Sequence, residues 1–207
     1  MIQHIRCLSL GAFLLACSNV PASAHHVMGG RTPVTFTEGI LSGLGHPVIG
    51  LDHFAAVVAV GCLAAIHRAA FGAAIVFVLA MMAGVALHLH GVTVPGAEIL
   101  VAISVIVLGA LLLRNREMPA AAAILLFALV GVIHGCALGE SIYGAEPAPL
   151  YAYLLGLAII QSAIALVAAK CAAKFIQASD LTPLRLVGAG IAGVGLAVLM
   201  QQVIPAA

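Results

Sequence analysis

The sequence predicts an all-α polytopic membrane protein, in which a bundle of six transmembrane helices follows a cleaved signal peptide. The first observation behind this fold class is the composition, since 64% of the 207 residues are hydrophobic and only 7% are charged. Soluble domains carry about 25% charged residues, so this chain lacks the charge to cover itself in water. The second observation is a series of long apolar stretches, and the third is the placement of the basic residues between them.

Residues 1–24 have the features of a secretory signal. The apolar stretch Leu8–Ala16 follows an arginine, and Ala22-Ser23-Ala24 matches the small-residue pattern of a cleavage site. We expect residues 25–45, which are more polar, to form a short periplasmic lead-in. An alternative interpretation is a lipoprotein acylated at Cys17, although the residues before this cysteine fit a lipoprotein box only loosely.

Residues 46–207 are predicted to form one transmembrane domain of six helices. Each apolar stretch is close to the about 20 residues that an α-helix needs to cross a bilayer. The predicted spans are Pro47–Ile66, Phe71–Leu89, Gly96–Leu113, Ala120–Leu138, Leu150–Ala169 and Leu184–Ile204. Small residues allow helices to approach closely in lipid. A close packing face is therefore predicted in the last span, at Gly188, Gly190, Gly193 and Gly195.

The basic residues of the connections indicate the topology. They occur in every second connection, at Arg68, Arg114, Arg116, Lys170, Lys174 and Arg185, and the other connections contain neither Lys nor Arg. Because loops rich in Lys and Arg stay in the cytoplasm, the mature N-terminus is predicted to be periplasmic, in agreement with a cleaved signal. The expected location is the inner membrane of a bacterium.

The first group of polar residues lies at the start of the first predicted span. Pro47 suits the first position of a helix, so we expect His46 at the helix start and His53 on nearly the same face. A carboxylate such as Asp52 is costly inside a bilayer unless it is paired or bound. Imidazoles beside a carboxylate favour a divalent transition metal. The alternative is that Asp52 only pairs with a histidine and locks two helices together.

The second group, from His134 to Glu140, ends the fourth predicted span. His134 lies at a depth similar to that of Asp52 and His53, which favours a shared site over a simple hydrogen bond between His134 and a neighbouring carbonyl. Cys136 is the cysteine best placed to add a thiolate.

The remaining candidates lie at the ends of other spans. His88 and His90 are two residues apart and face opposite sides of a helix, so at most one should join a central site. Glu98 begins the third span, where a helix N-terminus stabilises a carboxylate in any case. The complete predicted metal site comprises His46, Asp52, His53, His88, His90, Glu98, His134 and Glu140.

These motifs resemble the HupE/UreJ family of hydrogenase and urease accessory membrane proteins, which are regarded as nickel permeases. The resemblance covers the signal peptide, His25-His26 and both polar groups, and it extends loosely over all six spans. It implies that the metal-linked positions are His46, Asp52, His53 and His134. The sequence departs from the family pattern at Leu138 and Ser141, where the family often has histidine and glutamate. This departure leaves cobalt open beside nickel.

The expected function is therefore that of a secondary permease for Ni²⁺ or Co²⁺. The metal is cargo, and no permanent cofactor is expected. Because the sequence has no GxxxxGK[ST], HExxH or GxSxG motif, we expect neither ATP hydrolysis nor another enzymatic activity. The alternatives are a haem- or metal-binding membrane redox protein and an accessory subunit that only holds metal or a partner.

The expected partners follow from the same residues. They are the divalent metal ion, the lipid bilayer, and either further copies of this chain or proteins of metalloenzyme maturation. Nucleic acid is not expected, because the sequence has no Lys/Arg patch that could follow a phosphate backbone.

Overall fold

The computed structural model describes residues 31–67, 70–114 and 116–204. Every regular element in these ranges is helical, which confirms the all-α class. The predicted signal peptide and the first residues of the lead-in lie outside the described residues. The helices are α1 (Phe36–Ile49), α2 (Leu51–Ile66), α3 (Ala70–Leu89), α4 (Ala97–Arg114), α5 (Ala120–Gly139), α6 (Pro147–Gln177) and α7 (Thr182–Val203), with a 3-10 helix at Glu140–Ile142.

The lengths and compositions of these helices identify a membrane protein. Helices α4 to α7 are each long and apolar enough to cross a bilayer, and α1 and α2 meet the same criteria together as one bent span. Helix α3 is equally apolar, but its fully described part, Ala74–Leu89, is shorter than a span. The described residues thus contain four or five spans by these criteria, and the predicted count of six is not confirmed.

Helix α1 begins within the segment that was predicted to be a periplasmic lead-in. Thr35 caps it, since the Thr35 hydroxyl accepts a hydrogen bond from the Glu38 N–H at 3.1 Å and the Glu38 carboxylate accepts one from the Thr35 N–H. This reciprocal arrangement satisfies two amide groups that a helix start leaves without partners. The lead-in segment is therefore helical from residue 36 onward, and its periplasmic location stays a prediction.

The helix also ends where a helix start was predicted. His46 and Pro47 lie in the last turn of α1, and the chain turns at Gly50 so that α2 leaves at an angle of 77°. Proline has no N–H to donate and weakens the turn in which it lies, which is consistent with a helix that stops two residues later, at Ile49. The prediction that His46 and His53 share one helix is consequently wrong.

Close contacts between backbones hold the helices in three main pairs, α1 with α6, α3 with α5, and α4 with α7. A Cβ atom on Gly43 would collide with the carbonyl oxygen of Tyr153, and one on Gly135 would collide with that of Met81. Small residues at these positions let the backbones touch, as is common in membrane bundles.

The predicted packing face of α7 is half right. A Cβ atom on Gly188 or Gly195 would lie within 3 Å of the α4 backbone, whereas Gly190 and Gly193 face open space. Helix α2 is buried along nearly its whole length, from Asp52 to Ala64, and it contacts α3, α4, α6 and α7. Polar groups at the start of α2 are therefore held in the interior of the bundle.

Candidate metal site

The break between α1 and α2 places three polar side chains in the interior of the bundle. His46 comes from the last turn of α1, and Asp52 and His53 come from the first turn of α2. Their exposed fractions are 4%, 1% and 3%. A Cβ atom on Gly50 would lie 3.0 Å from His53 Cδ2 and 3.2 Å from Asp52 Oδ1. Gly50 thus gives both side chains room at the break.

Three imidazoles lie next to one another beside this break, and we call them the imidazole row: His46, His53 and His134. His134 comes from α5 and is completely buried. Its Nδ1 lies 2.9 Å from the Nδ1 of His53, with the ring centroids 5.0 Å apart. The His46 ring meets the His53 ring edge-on, at a centroid distance of 5.9 Å. The structure brings His53 and His134 together as their similar depth predicted.

Asp52 sits at the positive end of the α2 dipole. Its Oδ1 accepts a hydrogen bond of 2.8 Å from the His53 N–H. A carboxylate in the first turn of a helix gains about 0.3–1 kcal/mol from the dipole, and up to about 2 kcal/mol when partly buried. The local backbone therefore offsets part of the cost of burying a charge next to the imidazole row.

Ser104 of α4 supports His134 from the side opposite to His53. Its hydroxyl lies 2.8 Å from His134 Nε2 and 2.7 Å from the main-chain oxygen of Val101. The Phe77 ring lies against the same imidazole, with the centroids 6.4 Å apart. The His134 side chain is consequently held by three helices besides its own.

Tyr153 of α6 supports the other end of the imidazole row. Its hydroxyl lies 3.4 Å from His46 Nδ1 and donates to the carbonyl oxygen of Leu138 at 3.1 Å. Ser141 contacts both the Tyr153 hydroxyl and the Leu138 carbonyl, at 3.1 and 2.9 Å. The two positions at which the sequence departs from the family pattern thus both contact the tyrosine that reaches His46.

The separation of the two facing nitrogens can be compared with metal geometry. Imidazole nitrogens lie about 2.0–2.1 Å from a bound transition metal, so two ligands at a right angle are about 2.9 Å apart and two at the tetrahedral angle about 3.4 Å. The 2.9 Å between His53 and His134 is a hydrogen-bond length, so the two nitrogens lie close enough for one ion to reach both with little movement. Within the described residues, however, no three His, Cys, Asp or Glu side chains are already arranged around one ion.

Comparison with known proteins identifies the family. Residues 13–198 match the family described as HupE / UreJ protein. The chain belongs to the HupE/UreJ family. Among curated proteins, it is 32% identical over 123 residues to Protein HupE of Rhizobium leguminosarum bv. viciae. That match covers 58% of this chain and 62% of the relative, so the chain spans less than two thirds of the relative's length. No solved structure matches the chain.

The other predicted ligands of this HupE/UreJ protein lie at helix ends. His88 is half-buried against Gly139 and meets the Tyr143 ring edge-on at 5.8 Å. His90, which follows α3, and Glu140 are exposed, and Glu98 is half-buried in the first turn of α4. Their role as ligands stays a prediction.

The Cys136 thiol, which the sequence suggested as a possible metal ligand, lies in a contact between helices instead. It donates to the carbonyl oxygen of Gly84 at 3.5 Å, within the contact between α5 and α3. Thiolate coordination is therefore not part of the site that we describe.

Sequence reasoning missed the side chains that support the imidazole row, Ser104 and Tyr153. Each is a buried polar residue inside an apolar helix. A polar group at such a depth marks a functional or pairing position by default, and this rule would have selected both. Gln161 obeys the same rule, but it donates to the Met81 sulfur at 2.7 Å and serves the contact between α6 and α3.

Proposed function

We propose that this protein is a secondary permease that takes up Ni²⁺ or Co²⁺ across the inner membrane of a bacterium. The observation that carries the proposal is the imidazole row, buried beside Asp52 at the break of a bent pair of apolar helices. Membership of the HupE/UreJ family supports it.

The donor set favours a transition metal over Ca²⁺ or Mg²⁺. Imidazole with carboxylate suits nickel, cobalt, zinc and copper(II), whereas soft thiolates select copper(I) and iron–sulfur clusters. Among these metals, membership of the HupE/UreJ family favours nickel or cobalt. A metal ion bound to both nitrogens would replace the hydrogen bond between them. The proton of that bond would move to the second ring nitrogen of the donating histidine or leave to water, and Asp52 would balance part of the charge of the ion.

A broken helix is a suitable place for such an ion. Irregular backbone at membrane depth is tolerated where it is buried in protein or lines a cavity, and interrupted helices form the ion sites of many secondary transporters. Here the break at Gly50 leaves the carbonyl end of α1 and the amide end of α2 beside the imidazole row. Main-chain carbonyls and water can complete a coordination sphere that the side chains only begin.

The acidic and imidazole groups at the helix ends would form an entrance. The end of α3, the start of α4 and the end of α5 carry four such residues: His88, His90, Glu98 and Glu140. The carboxylates of Glu98 and Glu140 would attract a cation to this end of the bundle, and the imidazoles would begin to replace its water. We infer a periplasmic vestibule at this end of the bundle, from which a hydrated ion reaches the imidazole row.

Inward movement needs no nucleotide. A membrane potential of 100 mV, negative inside, favours entry of a dication by about 4–5 kcal/mol. Conduction further requires that the internal site bind weakly enough to release the ion. Two nitrogens and one carboxylate, rather than a complete cage of ligands, are consistent with such moderate binding.

A haem protein fits the geometry less well. Haem bound between two histidines needs its macrocycle between their nitrogens, and the 2.9 Å hydrogen bond of His53 and His134 leaves no space for it. Purified protein without a Soret band would agree with the permease.

The proposal is tested with purified protein in liposomes that carry an inside-negative potential. Uptake of radioactive nickel and cobalt is compared for wild type, Asp52→Asn and His134→Ala. We expect both variants to lose at least about tenfold in uptake, since even an outer-shell change costs about 10–100-fold in metal affinity. Matched controls are Leu51→Ala and Leu129→Ala, which alter exposed side chains of the same two helices and should transport normally.

Two results would overturn the proposal. If Asp52→Asn and His134→Ala transport like wild type, the ion does not use the imidazole row. If wild-type protein binds nickel but moves none into liposomes, the chain is an accessory metal-binding protein and not a permease by itself.

A further inference from the structure

The hydroxyl of Ser104 makes two contacts that together determine to which atom its hydrogen is donated. It lies 2.7 Å from the carbonyl oxygen of Val101, one turn earlier in α4, and 2.8 Å from Nε2 of His134 in α5. Ser104 and His134 are both buried, so neither contact is exchanged freely with bulk water.

A serine hydroxyl has one hydrogen to donate, and a carbonyl oxygen can only accept. If both contacts are hydrogen bonds, Ser104 donates to Val101 and therefore accepts from His134. The donor must then be an Nε2–H group. The opposite assignment, in which Ser104 donates to His134, leaves two oxygen atoms 2.7 Å apart with no hydrogen between them.

The hydrogen on Nε2 of His134 determines that the other ring nitrogen, Nδ1, is a hydrogen-bond acceptor. A neutral imidazole with hydrogen on Nε2 carries its lone pair on Nδ1. His134 Nδ1 faces His53 Nδ1 at 2.9 Å, so His53 is the donor of this hydrogen bond and His134 the acceptor. The lone pair of His134 is thus directed at the centre of the imidazole row.

We propose that Ser104 is a positioning residue that holds His134 in the Nε2–H tautomer, so that Nδ1 is the nitrogen offered to His53 and to a metal ion. The part that concerns metal rests on the proposed function, whereas the tautomer does not. Histidine ligands commonly donate their second N–H to a protein oxygen, which fixes the tautomer and the ring orientation. Ser104 supplies that oxygen here, from a helix that carries none of the imidazoles.

The tautomer is measured directly in the metal-free protein. Long-range ¹H–¹⁵N correlation spectra of protein with ¹⁵N-labelled histidine distinguish a protonated from an unprotonated ring nitrogen, and the His134 signals are assigned by their loss in His134→Gln. We expect Nε2 protonated and Nδ1 unprotonated in wild type. Ser104→Ala should shift His134 to a mixture of tautomers. Ser104→Thr keeps a hydroxyl that can bond the carbonyl one turn back and should restore the wild-type pattern.

Binding of Ni²⁺ alone, measured by calorimetry, tests the consequence. Ser104→Ala should weaken binding by about 10–100-fold, as expected for an outer-shell partner, and Ser104→Thr should recover most of the affinity. The matched control is Ser162→Ala, which removes an exposed serine of α6 and should change neither measurement.

A wild-type His134 with hydrogen on Nδ1 would overturn the inference without affecting the permease proposal. So would a Ser104→Ala protein whose tautomer and nickel affinity equal those of wild type. If Ser104→Ala does not fold, the wild-type spectrum and Ser104→Thr still decide the question. Failure of wild-type uptake in liposomes would instead remove the permease and leave the tautomer result standing.

Discussion

Replacing Gly135 by alanine should force α3 and α5 apart and disturb the imidazole row. A Cβ atom at this position would collide with the main-chain carbonyl of Met81 and lie 2.9 Å from the Cα of Gly84. These are backbone atoms, which cannot rotate away as the end of a side chain can. Since carbon atoms prefer a separation of about 3.5–4.0 Å, the two helices must separate by about 1 Å.

A comparison with Gly190→Ala isolates the loss of unfolding free energy that the collision at residue 135 causes. Overpacking of this kind costs about 1–3 kcal/mol, while alanine in place of glycine inside a helix gains about 0.5–1 kcal/mol. Gly190 of α7 faces open space, so Gly190→Ala has the gain without the collision. The free energies of unfolding of the two variants should therefore differ by about 1–3 kcal/mol, which is the cost of the collision alone.

The assay is thermal unfolding of both variants in the same detergent, together with nickel binding. Gly135→Ala should melt below wild type and Gly190→Ala at or above it. Because His134 is the neighbour of Gly135 and its contact with His53 is only 2.9 Å long, Gly135→Ala should also weaken nickel binding. Equal melting midpoints for the two variants would refute the close contact between α3 and α5.

Three further changes test other contacts. Tyr153→Phe removes a hydroxyl that donates to the end of α5. The variant should lose about 1 kcal/mol in unfolding free energy and bind nickel more weakly in calorimetry. An unchanged nickel affinity would show that Tyr153 is not part of the site. Cys136→Ser should leave nickel uptake unchanged, because the thiol bonds a carbonyl of α3; a large loss would reveal a thiolate ligand. Burial lowers the pKa of His67 from its usual 6.5, and its Nδ1 accepts the Met118 N–H. The neutral ring therefore stabilises the fold above pH 6.5, and this contribution is lost as the pH falls below that value. His67→Gln should flatten the pH dependence of the melting midpoint, and an unchanged slope would contradict this origin.

The apolar helices could be predicted because length and composition alone determine which segments suit a bilayer. Five predicted spans overlap single helices, with ends that differ by a few residues except at α6, which extends to Gln177. The predicted start of the first span was wrong because Pro47 suits the first turn of a helix but also occurs in the last turn of one. The capping pair Thr35 and Glu38 was the signal that a helix begins earlier.

The proximity of His53 and His134 was predictable from the sequence, whereas the predicted residues His88, His90, Glu98 and Glu140 lie at helix ends. Depth in the membrane follows from sequence position, and it correctly grouped His53 with His134. Which side chains contact one another depends on the rotation of each helix, which an evenly apolar segment does not encode. Ser104 and Tyr153 could be recognised as polar residues in apolar helices, but their contacts with His134 and His46 depend on this rotation.

X-ray absorption at the nickel edge, on purified protein loaded with one equivalent of Ni²⁺, tests most directly whether the imidazole row is the metal site. We predict scattering from at least two imidazoles, nitrogen and oxygen neighbours at about 2.0–2.1 Å, no sulfur, and the loss of one imidazole in His134→Ala. A spectrum with sulfur neighbours, or one that His53→Ala and His134→Ala both leave unchanged, would contradict the account.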